Sequence, residues 1–86
     1  MAPQATSTDY LTRQGRAILL EILDWQAEHG YSPSIRELCY LLGLATPSTV
    51  HTHLTRLREQ GFVTWVDGQT RTLVVTAAAR AKLNVL

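Results

Sequence analysis

Ser48, Thr49, His51 and Thr52 fall within one short run, Thr46-Pro47-Ser48-Thr49-Val50-His51-Thr52-His53-Leu54. Wound as a helix, this run and its continuation bring Val50, Leu54 and Leu57 within about 60° of one another, an apolar stripe that must be buried. The opposite side then carries Ser48, Thr52, Thr55 and Glu59. Thr49 and Arg56 flank it on one edge, His51 and Arg58 on the other. Small hydroxyls and an imidazole can approach base edges closely and donate or accept there, and threonine methyls can touch thymine methyls. The start of such a helix also points backbone N–H groups toward phosphate. A solvated surface face would carry the same residue types, so the neighbouring elements must decide between the two readings.

Those elements have legible starts and stops. A first helix is expected after the N-cap residue Thr12 and runs to about Glu28, with Ile18, Ile22 and Trp25 at helical spacing and Gly30 as its stop. Tyr31-Ser32-Pro33 is extended, because the residue before proline avoids the helical region. Ser34-Ile35-Arg36-Glu37 is a capping box, in which hydroxyl and carboxylate reciprocally satisfy backbone donors. The short helix it opens turns Ile35, Leu38 and Leu42 inward and ends at Gly43. Thr46 as N-cap and Pro47 at the first helical position start the next helix almost at once, and Gly61 ends it. Phe62 to Val66 and Gln69 to Val75 predict two strands joined by a two-residue Asp67-Gly68 hairpin turn. Thr76 can cap a last short helix with Ala79, Leu83 and Leu86 along one side.

Two helices joined by a glycine-containing turn and followed by a hairpin are a helix-turn-helix with a wing. The fold expected is mainly α with a small β-hairpin, a winged helix-turn-helix of three helices plus wing. Residues 1–10 are a polar tail, 11–75 the domain, and 76–86 a short C-terminal helix or tail. The chain has 86 residues, 45% of them hydrophobic and 17% charged, which suits one small soluble domain. No apolar run approaches the roughly 18 residues of a membrane span, and the N-terminus lacks the basic flank and apolar stretch of a secretory signal. With a single cysteine, Cys39, the expected compartment is the reducing cytoplasm, in association with the nucleoid. Net charge is only +1, but it is unevenly spread: residues 1–43 carry three basic against five acidic side chains, residues 44–86 five against two. The positive half holds the elements that would face DNA.

Other chemistries find little support. The rings of His51 and His53 project about 160° apart on a helix and cannot share a metal, and Cys39 reads as a buried thiol. No phosphate-cradling glycine loop, carboxylate pair or nucleophile–base set is visible, so neither an enzyme nor a cofactor is expected. Arg71, on the return strand, is expected at a phosphate or in the minor groove, with a surface ion pair to Asp67 as the competing reading. Arg13 is a weaker phosphate candidate. Leu20, Leu23, Tyr40, Trp65, Leu83 and Leu86 offer more apolar surface than a monomer of this size needs. They mark an interface for a second copy or a protein partner, and the rival function is accordingly a winged helix used for protein–protein contact.

From Leu11 to Val75 the chain resembles the N-terminal DNA-binding domain of the bacterial SOS repressor LexA. The resemblance is carried by Leu11-Thr12, by Gly30-Tyr31-Ser32-Pro33-Ser34-Ile35-Arg36-Glu37-Leu38, and by Gly43 through Leu54, followed by Arg56-Leu57 and Gly61. It implies a repressor whose third helix reads the major groove, with base contacts from Thr46, Ser48, Thr49, His51 and Thr52. Backbone or wing contacts would come from Arg13, Thr55, Arg56, Gly68, Gln69 and Arg71. The Ser-Thr-Val-His run is most similar to LexA of Gram-positive bacteria, which implies a palindromic operator with GAAC/GTTC arms; Pro47 and Thr52 depart from that subgroup. LexA continues into a self-cleaving, dimerising domain with an Ala-Gly scission site and a Ser–Lys pair. No Ala-Gly dipeptide occurs here, and the one lysine is Lys82. The expectation is either a stand-alone relative or a DNA-binding fragment of a longer repressor, and the unfamiliar ending from Thr76 to Leu86 favours the former.

Overall fold

Each segment with helical periodicity forms a helix in the computed structural model, which describes residues 11–44 and 46–84. The order is α1 (Arg13–His29), α2 (Ile35–Leu42), α3 (Pro47–Glu59), β1 (Val63–Thr64), β2 (Val74–Val75) and α4 (Ala77–Leu83). Side-chain oxygens cap three of the four helices. Thr12 accepts from the Gly15 amide at 2.9 Å, Ser34 from Glu37 at 3.0 Å, and Thr76 from Ala79 at 3.2 Å. The capping box is complete, since the Ser34 amide donates to Glu37 Oε1 at 2.9 Å.

The first three helices pack on one another around a shared core, and the hairpin closes it from the side. Ile18, Leu19 and Ile22 of α1 meet Leu38 of α2 and Val50, Leu54 and Leu57 of α3, all of them buried. Burying a side chain of this kind contributes about 1.5–3 kcal/mol each, so this small cluster dominates the stability. Ile35 and Leu42 are half-buried at its margin, and Cys39 takes the inward place between them. Val63, Leu73 and Val75 add the inner face of the hairpin, and Ala79 and Leu83 of α4 complete the core. Leu83 is therefore a core residue and not part of an exposed apolar surface. The expected residues 1–10 tail and Leu86 lie outside the described residues.

The turn between α2 and α3 is fixed by local bonds. Gly43 adopts φ +68°, a left-handed conformation costly for residues with a Cβ, and lets the chain reverse. The Leu44 amide donates to the Cys39 carbonyl at 3.1 Å, and the Cys39 thiol donates back to the Leu44 carbonyl at 3.1 Å.

The wing departs from expectation. Strands were expected over Phe62–Val66 and Gln69–Val75 around a two-residue turn, but the ladder pairs only Val63 with Val75 and Thr64 with Val74. This register centres the hairpin on Gln69, not on Asp67-Gly68. Asp67-Gly68 does form a turn, closed by the Gln69 amide on the Val66 carbonyl at 3.1 Å. Only Gly68 of its two central residues has positive φ, so it is not the type I′ turn of a tight hairpin. Arg71 supplies a second bend at φ +64°. At the base of this bent segment, the Thr72 hydroxyl takes over from the ladder and accepts from the Val66 amide at 2.9 Å.

Candidate nucleic-acid interface

The buried stripe of Val50, Leu54 and Leu57 turns the other face of α3 to solvent, where Thr46, Ser48, Thr49, His51 and Thr52 are all exposed. Thr46 occupies the N-cap position, but its side chain does not cap. Its hydroxyl lies 3.0 Å from Ser48 Oγ and 3.2 Å from Thr49 Oγ1, a cluster of three hydroxyls at the helix start. The amides of this first turn are thus without the side-chain acceptor that the other three helices possess.

Farther along, the Thr52 hydroxyl donates to the Ser48 carbonyl at 3.0 Å, and the half-buried Thr55 hydroxyl to the His51 carbonyl at 2.9 Å. Each hydroxyl proton is used within the helix, which leaves lone pairs and methyl groups facing outward. Such a surface can accept from the exocyclic amines of adenine or cytosine and pack on thymine methyls. Arg56 is exposed on this helix and Arg13 at the start of α1; neither takes part in an ion pair between described residues. His53 is half-buried and lines a small pocket together with Gly15 and Leu57.

An open cleft of about 660 Å³ separates the beginnings of α2 and α3 from the wing. Arg36, Pro47 and His51 line one side of it, and Trp65, Gln69 and Arg71 the other. Gly68 and Gln69 are exposed at the wing tip. Arg36 was not among the residues singled out from sequence; its place on the first turn of α2, next to the capping glutamate, was the available signal.

Two ion pairs hold the wing beside this cleft. Arg58 Nη1 donates to Asp67 Oδ1 at 3.1 Å, with its guanidinium 4.1 Å from the centre of the Trp65 ring. The Trp65 indole N–H donates to the same Asp67 oxygen at 3.0 Å, and its ring meets His51 edge-on at 6.0 Å. Trp65 is consequently half-buried against the core margin rather than a free apolar surface. The Arg58 guanidinium beside Asp67 holds that carboxyl below its usual pKa. Arg71 does not pair with Asp67, the competing reading for this residue. It forms a fork on Glu37, at 2.8 and 3.0 Å, donates to the Ser32 carbonyl at 3.3 Å, and lies over the Tyr31 ring. The fork and the Ser34 amide together lower the Glu37 pKa from 4.5 to about 2, and the same pairing raises that of Arg71.

Of the apolar residues expected at an interface, Tyr40 is 86% exposed and Leu20 37%, whereas Leu23 is half-buried against the core. Leu41, not singled out from sequence, is also exposed. Among the described residues no helix is long and apolar enough to cross a membrane.

Comparison with known proteins matches residues 8–72 to the family described as the LexA DNA binding domain. The LexA repressor of Desulfatibacillum aliphaticivorans is 37% identical over 65 residues, which cover 76% of this chain and 32% of that protein. That of Limosilactobacillus reuteri is 40% identical over 67 residues, 77% of this chain and 32% of the repressor. That of Carboxydothermus hydrogenoformans is 43% identical over 53 residues, 62% and 26% of the two chains. The match to the first two spans about a third of those repressors' length.

Proposed function

The chain belongs to the LexA DNA-binding domain family, and from that premise we propose that it is a sequence-specific, double-stranded-DNA-binding transcriptional regulator. It acts as a repressor by occupying a palindromic operator with GAAC/GTTC-type arms, with α3 in the major groove. Its role is regulatory rather than catalytic, in the bacterial SOS response, on DNA in the cytoplasmic nucleoid. The observation that carries this reading is the exposed hydroxyl and imidazole face of α3, lying opposite a fully buried stripe. Thr46, Ser48, Thr49, His51 and Thr52 read base edges. Arg13, Thr55 and Arg56, with Gly68 and Gln69 at the wing tip, meet the sugar–phosphate backbone, one strand of which runs in the cleft.

Selection of bound sequences from a random duplex pool tests this proposal. Enrichment of paired arms at a fixed spacing is expected, and His51→Ala should relax base preference at one position of each arm, by about 1–3 kcal/mol. Recovery of unselected sequence would overturn it. A second reading, a protein-docking module, draws on the exposure of Tyr40 and Leu41. Size measurement with and without DNA separates the two: a complex that forms only with duplex favours the first.

A further inference from the structure

We propose that the Glu37–Arg71 pair is a strut that sets the wing's position relative to α3, so that Arg71 is a positioning residue and not a phosphate contact. This rests on the DNA-binding reading above and assigns to one of its arginines a different task.

The donors of Arg71 are already placed. Nη1 and Nη2 face the two carboxylate oxygens of Glu37, and Nη1 also reaches the Ser32 carbonyl. A planar fork on a carboxylate fixes direction as well as distance, which a lysine on a phosphate would not. Glu37 is itself anchored, because Oε1 accepts from the Ser34 amide at the start of α2. The pair therefore connects the wing to the first helix of the helix-turn-helix across 34 residues of sequence.

The backbone at Arg71 supports the same conclusion. It adopts φ +64°, and the other described non-glycine residue at positive φ, Asn84, is a helix C-cap. A non-glycine residue persists in that region when its surroundings over-determine it. Here the surroundings are the fork, the Ser32 carbonyl and the Tyr31 ring, 4.9 Å from the guanidinium. Behind the bend, the Leu73 carbonyl accepts from Ser32 Oγ at 2.9 Å and from Gln26 Nε2 at 3.1 Å. On the other edge, Arg58 holds Asp67. The wing tip is suspended between these two attachments, and the strut sets the gap between Gln69 and the start of α3.

The two roles of Arg71 predict opposite signs for one substitution. Were Arg71 a phosphate contact, Glu37 would compete with DNA for it, and Glu37→Gln would tighten binding. If the pair is a strut, Glu37→Gln loosens the wing and weakens binding, while glutamine still serves the capping box.

The experiment measures affinity for a GAAC/GTTC-armed duplex at several salt concentrations, for the wild-type chain, Glu37→Gln, Arg71→Gln and the double variant. Amide exchange of residues 66–72 is followed in the free proteins, with α1 amides reporting intact folding. The expected result is a roughly tenfold loss in each single variant and no further loss in the double variant. The salt slope stays at its wild-type value, wing amides exchange faster, and α1 amides are unchanged. Tighter binding by Glu37→Gln, or a slope about one unit smaller in Arg71→Gln, overturns the strut while leaving the DNA-binding reading intact. Wild-type affinity in either single variant does the same. Failure of the wild-type chain to bind any duplex overturns both.

Discussion

Glu37 accepts from Arg71 on both oxygens and from the Ser34 amide on one, and these bonds hold its pKa at about 2 against an ordinary 4.5. A carboxyl lowered on folding contributes stability above its unfolded pKa, and that contribution is lost as pH falls toward the folded value. Urea midpoints should therefore fall between pH 4.5 and about 2, and less steeply in Glu37→Gln, which has no proton to gain there. Asp67, also lowered, leaves a residual slope in the variant. Parallel curves for the two proteins would mean that the pair contributes nothing. Gly15 offers a test of packing. Alanine normally stabilises a helix interior relative to glycine by about 0.5–1 kcal/mol. A Cβ at Gly15 would lie 3.0 Å from Leu57 and 3.2 Å from the capping Thr12 hydroxyl, so Gly15→Ala should lower the melting temperature instead. The capping box could be read from sequence because donor and acceptor are three residues apart. The Arg71 fork could not, since its partner is 34 residues distant and Asp67 offered a nearer carboxylate.

Among the elements, the contrast between α2 and α3 is one of end chemistry. Ser34 satisfies an α2 amide directly, whereas the Thr46 hydroxyl lies among Ser48 and Thr49 and leaves the α3 start uncapped. Ser34→Ala should then cost about 1 kcal/mol in chemical denaturation. Thr46→Ala should cost only a few tenths while weakening binding to duplex. Equal losses of stability would mean that Thr46 caps its helix after all. Both starts were legible as hydroxyl residues ahead of apolar periodicity, but only coordinates distinguish a hydroxyl that caps from one that does not. The stripe of α3 was legible for a stronger reason, as three large apolar residues at helical spacing leave one face to bury. The wing was less so. Asp67-Gly68 is a strong local signal for a tight turn, but the register is set elsewhere, by Thr72 substituting for a strand partner and by Arg71 bent toward Glu37.

For the whole molecule, charge is the quantity that decides how it would meet DNA. The net charge of +1 is small, and the excess of basic residues after position 43 overstates what is available to phosphate. Arg58 and Arg71, two of those five, are each paired with an acid. What remains at the α3 face and its cleft is Arg56 and Arg36, with Arg13 exposed at the start of α1. A head with about two to four phosphate contacts should show a log–log salt slope of roughly −2 to −4, since each contact contributes about 0.9. Arg56→Ala should make that slope shallower by about one unit and weaken armed and random duplexes alike, because a phosphate contact carries no sequence information. A loss confined to the armed duplex would instead place Arg56 against a base, and the backbone role assigned to it would have to be withdrawn. On a two-arm duplex filled by two heads the slope should double. That follows from the counterions released by each head, whether or not the exposed Tyr40 and Leu41 bring the heads into contact.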